Sequence, residues 1–118
     1  MSEVSFADFK KTDLRLAKIL DVQEIPGADR LWKILVDVGS EKKEIVAGIK
    51  AFYSREQLLG KSVIIVNNLA PAVIRGTQSH GMLLAASVKS PADPGQKEST
   101  CLALISPDQE LPPGSPVG

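Results

Sequence analysis

The sequence predicts an all-β fold, a small closed barrel, and three observations carry that prediction. Apolar residues recur at period two along several short runs, the spacing of strands with one buried face. Clusters of Pro, Gly, Asn and Asp separate those runs and read as turns. A single short helical signature stands among the later runs, with none of the strand–helix alternation of a parallel sheet. At 118 residues the chain is expected to form one domain, residues 1–118, with a core of modest size.

Taken in order, Ser5-Phe6-Ala7-Asp8 fits a helix start, with Ser5 as N-cap. Thr12 and Asp13 stop that turn. Leu14 to Ile25 places Leu14, Leu16, Leu20 and Val22 at period two, broken at Lys18, and predicts a long first strand. Pro26-Gly27-Ala28-Asp29 turns the chain. Leu31 to Val38 sets Trp32, Ile34, Val36 and Val38 against Lys33 and Asp37, a half-buried strand that assigns Trp32 to the core. Gly39 to Lys42 turns it, and Glu44 to Ile49 returns, so 31–49 is a hairpin. Ala47-Gly48 marks a bulge or a close backbone approach.

Ser54-Arg55-Glu56-Gln57 is a capping box, and Gly60 stands where a C′ residue belongs. Ser62–Val66 is the fourth strand, Met82–Val88 the next, and Thr100–Ile105 the last. Lys89–Ser99 reads as a surface loop. The proline-rich tail from Leu111 is unsuited to a central strand. Five strands with one short helix between strands three and four, plus short N- and C-terminal extensions, is the arrangement of an OB-fold barrel.

The polar stretch Asn67–Ser87 lies between two apolar runs, and binding groups concentrate on loops held by such scaffolds. The formal net charge is zero. Residues 30–75 nevertheless carry eight basic and four acidic side chains, so the middle of the chain is basic. No apolar run reaches membrane-spanning length, and MSEVSFADFKK lacks the pattern of a signal peptide. Cys101, the single cysteine, reads as a small core residue, and a reducing, cytoplasmic setting is the default. His80 is the only histidine, and no carboxylate or amide stands placed to build a dyad with Cys101. No His or Cys pair has metal-ligand spacing, and Gly76–Gly81 lacks the Lys-Ser/Thr of a P-loop. A non-catalytic binding module without a cofactor is the expectation.

Longer motifs narrow it further. Phe6-x-Asp8-Phe9-x-Lys11-x-Asp13-Leu14-Arg15-x-Ala17, Ala28-Asp29-Arg30-Leu31 and Val46-Ala47-Gly48-Ile49 run in one register with Asn68-Leu69-Ala70-Pro71, Arg75-Gly76, Ser79-x-Gly81-Met82-x-x-Ala85-Ala86, Ser106-Pro107-Asp108 and Pro113-Gly114. Nearly the whole chain thereby resembles the tRNA-binding domain family. That family occurs at the C-terminus of methionyl-tRNA synthetases, as free-standing or subunit proteins, and in CsaA-type chaperones. The resemblance implies an OB barrel that binds tRNA by shape and backbone, without base specificity, in a homodimer whose termini contribute to the interface. An aminoacyl-tRNA synthetase is a second implied partner. Other readings stand beside it: a chaperone holding unfolded peptide in the same groove, and a purely structural dimerisation domain.

The residues expected to meet tRNA are Lys33, Lys42, Lys43, Lys50 and Arg75 for phosphates, Asn67, Asn68 and Ser79 as uncharged donors, and Gly81 for close backbone approach. Met82 has two readings, against a ribose or base, or in the core at the head of a strand. One departure stands out: positions after Ala70-Pro71 are commonly basic in the family, and here they are Ala72 and Val73.

Overall fold

The computed structural model describes residues 1–90 and 99–118. Two short helices, α1 (Phe6–Phe9) and α2 (Arg55–Leu58), accompany ten strands. These are β1 (Leu14–Glu24), β2 (Trp32–Asp37), β3 (Lys42–Ala47), β4 (Ser62–Val66), β5 (Ala72–Ile74), β6 (Thr77–Ser79), β7 (Met82–Leu83), β8 (Ala85–Ser90), β9 (Ser99–Leu104) and β10 (Pro116–Val117). The main sheet runs β3-β2-β1-β4-β7, all antiparallel, with β10 also on β1. Two hairpins, β5–β6 and β8–β9, complete it. The result is a nearly closed OB-like barrel, the all-β architecture that the alternation predicts.

β1 joins the two halves. Leu14–Lys18 pairs with β4, whereas Lys18–Glu24 pairs with β2. The register shifts between Ile19 and Asp21, a bulge that bends the strand around the core. The bulge also breaks period two. Ala17, Ile19 and Val22 join the core while Leu20 is exposed, so the expected inward place of Leu20 is corrected.

Ile19, Ile34, Ile45, Leu58 and Ile65 are the largest fully buried side chains. Each contributes about 1.5–3 kcal/mol by leaving water. Leu58 comes from α2, whose Ser54–Gln57 capping box is complete, and Gly60 turns the chain out of it at φ 80°. Trp32 is buried, and its indole N–H donates to the Tyr53 carbonyl at 2.8 Å. Ser5 caps α1 by accepting from the Asp8 amide at 3.1 Å.

Four other expectations change. The strand expected over Met82–Val88 is divided at Leu84, whose amide donates to Ile64 O and whose carbonyl accepts from Ile105 N. The chain there passes from β4 as neighbour to β9. Cys101 is exposed rather than buried. It pairs with Val88 across β8–β9, while Leu102 and Leu104, which follow it at period two, take the inward places. A Cβ on Gly48 would meet only Leu31 Cδ2 at 3.8 Å, ordinary contact, so no tight approach requires glycine there. The loop expected over Lys89–Ser99 gives way to strand as far as Ser90 and again from Ser99; its remainder, 91–98, lies outside the described residues.

The tail returns to the barrel. Gly114 N–H donates to Leu16 O at 2.7 Å, and Leu16 N–H donates to Ser115 O at 2.9 Å. Gly114 has φ 88°, and a Cβ on it would lie 2.5 Å from Val38 O. Gly114→Ala combines that backbone clash with a left-handed conformation. It should cost more than about 1 kcal/mol, read as a lower Tm in thermal melting.

Candidate nucleic-acid interface

The alternation that buries one side of β1, β2 and β3 exposes the other. Register places the outward side chains in three cross-strand rows: Gln23–Lys33–Val46, Asp21–Leu35–Glu44, and Lys18–Asp37–Lys42. Val46 is covered by Ile25, Ala28, Leu31 and Ile74, a second apolar cluster outside the barrel. Ile74 brings the β5–β6 hairpin over that end of the sheet. The remainder is open. An OB barrel offers this face and its rim loops to oligonucleotides.

The face is mixed in charge. Lys33 Nζ lies 2.8 Å from Glu44 Oε2, and Arg55 Nη2 lies 3.0 Å from Asp21 Oδ1. The Val22 backbone first, and then the Arg55 guanidinium, hold the Asp21 carboxyl below its ordinary range. Lys50 pairs with Glu24 at 3.2 Å and sits 4.8 Å from the Trp32 ring centre. Lys43 is largely buried, donates to Asn67 O at 2.8 Å, and lies 3.7 Å from Glu41. Among the described residues of the basic middle segment, Arg30, Lys42, Lys61 and Arg75 make no ion pair and no side-chain hydrogen bond. Lys61 stands apart from the face, 6.0 Å from the Tyr53 ring centre and beside Ser106 and Pro107, which leaves Arg30, Lys42 and Arg75 as its uncommitted cations.

Arg75 owes its place to a turn. Ile74 pairs with Thr77, so Arg75-Gly76 is a two-residue hairpin loop, and its φ values are 52° and 78°. Positive φ at both places is the type I′ turn, which favours Asn-Gly. Arginine there is an uncommon tenant of the left-handed region, and its side chain is exposed.

The expected uncharged donors are committed internally. Asn68 Oδ1 accepts from Asp13 N at 2.8 Å, and its Nδ2 donates to Lys11 O at 2.6 Å. Asn67 Nδ2 donates to Asp13 Oδ2 at 3.0 Å, and its backbone N–H donates to Asp13 O at 2.7 Å. Together these amides fasten the segment after α1 to the end of β4. Asn67 Oδ1 is the one buried side-chain polar atom without a partner among the described residues. Ser79 is buried; its hydroxyl accepts from Val46 N at 3.0 Å and donates to Gly81 O at 3.2 Å. Gly81 is also buried, and a Cβ on it would lie 3.0 Å from Val66 O. It lets strands approach each other, not a ligand approach the chain. Met82 is 47% exposed, which removes its core reading.

Sequence reasoning passed over Leu35, Asp21, Glu44 and His80. Leu35 shares outward parity with Lys33 and Asp37, and an apolar residue among those charges was the available signal. His80 follows Ser79, and its backbone N–H donates to Glu44 O at 2.9 Å. That bond brings the imidazole to the rim of the face, in an open hollow of about 480 Å³ with Leu35, Glu41, Lys42, Lys43 and Glu44.

A family model described as a putative tRNA binding domain matches residues 14–116. The chain belongs to this family. Methionine–tRNA ligase of Pyrococcus furiosus is 46% identical over 99% of this chain and 15% of that protein. The ligase of Methanococcus aeolicus is 42% identical over 99% of the chain and 16% of that protein. The chain thus spans about 15% of the length of such relatives. Among solved structures, a MetRS-related protein from Pyrococcus horikoshii superposes with TM-score 0.80 at 30% identity, with 100% of both chains covered. The chaperone CsaA of Bacillus anthracis gives 0.77 at 25% identity, over 99% of this chain and 100% of that one.

Within the tRNA-binding family frame, Ala72 and Val73 fall on β5, and both are exposed. The hairpin's cationic reach is therefore left to Arg75. Asp13 is the hub of the amide clamp. The Asn67 hydrogen bond foremost, and then Arg15, lower its carboxyl below the ordinary value against the opposing effect of burial. A depressed folded-state value contributes stability above the unfolded value, and that contribution is lost as pH falls through the folded one. Acid should therefore loosen the clamp in the window below about pH 3.9. Asp13→Asn should remove that limb from a plot of Tm against pH. An unaltered limb would place the acid sensitivity elsewhere.

Proposed function

We propose that this chain is a tRNA-binding module, gripping folded RNA through phosphates and 2′-hydroxyls. The observation that carries this is the family match over residues 14–116, joined to an open OB face rimmed by uncommitted cations. A-form arms hide base edges in a deep groove, so backbone and shape supply most of the contact. Lys42, Arg75 and Arg30 are the phosphate contacts best supported by geometry, and Met82, exposed and part of the family motif, is an apolar contact. Lys33, Lys43 and Lys50 reach phosphate only by giving up internal partners. The chain acts without catalysis of its own in the cytoplasm, either free-standing or joined to an aminoacyl-tRNA synthetase. The synthetase association is motivated by the ligase relatives.

Salt dependence tests this against peptide holding, the reading that the CsaA likeness favours. Binding through counterion release falls with a slope of about 0.9 per phosphate neutralised on B-DNA and less on single strands. Three contacts should give a slope of roughly two to three in filter binding with total tRNA. Lys42→Ala should lower it by about one, whereas Lys43→Ala should leave the slope and lower the Tm. Arg75→Asn suits the turn and should keep or raise the Tm while weakening binding roughly ten- to a hundredfold, the worth of a charge-assisted contact. Affinity insensitive to salt, with unfolded peptide competing, would favour the chaperone instead.

The proposal includes a homodimer. Phe6, Phe9, Leu69, Leu111 and Val117 are all exposed. These belong to the termini or, for Leu69, follow the Asn67-Asn68 clamp that holds the segment after α1. Phe6 is 72% exposed and carries no part of the core, so Phe6→Glu should preserve the fold. Light scattering should then report a monomer where the parent chain is a dimer. A dimer unaffected by Phe6→Glu would place the interface away from α1.

A further inference from the structure

The open face has a chemistry that phosphate binding leaves unused. Its central row, Asp21–Leu35–Glu44, sets an apolar side chain between two carboxylates. Carboxylates repel phosphate, so this row is no part of a backbone grip. Beside it, Leu35 and Glu44 line both the hollow at His80, of about 480 Å³, and an adjoining one of about 240 Å³. The larger hollow offers a planar imidazole, a half-buried leucine, the carboxylates of Glu41 and Glu44 and the ammonium of Lys42, whose three donors can serve a phosphate and a base oxygen together. Glu44 Oε2 meets Lys33 at 2.8 Å, and the Glu44 side chain is 47% exposed, so its carboxylate remains open to a ligand.

Those groups match a nucleobase. The imidazole and Leu35 provide stacking and apolar contact for a flat ring, as aromatic and histidine side chains do for unstacked RNA bases. A carboxylate accepts from base N–H groups. Guanine alone presents two neighbouring donors, N1–H and N2–H₂, with the O6 acceptor next to them for an ammonium. Cytosine and adenine present one amino group beside a ring acceptor. Uracil presents one N–H between two carbonyl oxygens, which a carboxylate repels. Resting on the tRNA-binding reading, we propose that the hollow among Leu35, Lys42, Glu44 and His80 seats one unpaired guanine of the bound RNA. It adds a single base preference to contacts that are otherwise neutral to sequence.

Each 5′-mononucleotide, GMP, AMP, CMP and UMP, is titrated into the ¹⁵N-labelled 118-residue chain and followed by amide chemical shifts. GMP should move the resonances of Leu35, Lys42, Glu44 and His80, and bind roughly tenfold more tightly than UMP. Glu44→Gln should erase the preference between the bases, and His80→Ala should weaken all four nucleotides. Total tRNA is titrated into the same samples. If tRNA binds while the four nucleotides are indistinguishable, or move residues elsewhere, the guanine seat is wrong and the tRNA reading stands. If GMP is preferred at these residues but tRNA does not bind, the seat stands and the tRNA reading falls. A guanine preference that survives Glu44→Gln also overturns the proposal.

Discussion

The outer edge of β3 is the constraint on which the site depends. An unpaired strand edge leaves a row of backbone donors and acceptors without partners. Here the end of β6 and the residue after it answer them, with Ser79 Oγ accepting from the Val46 amide and His80 N–H donating to the Glu44 carbonyl. One buried hydroxyl and one backbone amide therefore close the barrel where a full strand pairing is lacking. The same two bonds bring His80 beside Glu44 and carry the β5–β6 hairpin, with Arg75 at its tip, over the end of the open sheet. Closure and site assembly are one event. A buried donor left unpaired costs about 1–3 kcal/mol, so residues of the edge contact act on binding through the fold.

Charge on this protein is organised more by pairing than by number. Residues 30–75 hold a surplus of basic side chains, yet Lys33, Lys43, Lys50 and Arg55 each lie within ion-pair distance of a carboxylate. Half-exposed pairs of this kind contribute little stability, commonly under 1 kcal/mol. Their larger effect is to hold long side chains in place and to shorten the list of cations free to meet RNA. The fewer phosphates a face neutralises, the shallower the fall of affinity with salt. The mixed face also leaves carboxylates where a base edge, rather than a phosphate, is the suitable partner.

The barrel was legible in the sequence because its signals are local. Alternation over 31–38, the Ser54–Gln57 box and Gly60 each require a few neighbouring residues. Leu20 was misjudged because a bulge changes parity, and no side chain near it announces one. Cys101 was misjudged on composition, although the alternation of Leu102 and Leu104 after it already assigns it to the outer face of its strand. The site was less legible for a different reason. Asn67, Asn68 and Ser79 are the residue types that bind RNA, and the same donor and acceptor groups serve equally well inside a protein. Which of the two uses applies depends on partners 30 or more positions away, such as Asp13 and Val46. His80 and Leu35 gained their place only from register.

The meeting of Gly39 and Gly114 bears on how the molecule comes apart. A Cβ on either glycine would press into the other's backbone or into Val38 or Pro113, within 3.4 Å in each case. The tail is thus laid against the β2–β3 turn while its amide is bonded to Leu16 on β1. Ends of chains ordinarily fray independently of the core they leave. Here peeling the terminus away uncovers the middle strand of the sheet and the turn that orders its neighbour, so loss of the tail and loss of the barrel belong to a single cooperative unit. Resistance of this segment to a protease therefore reads the strength of its hold on Leu16 and on the β2–β3 turn.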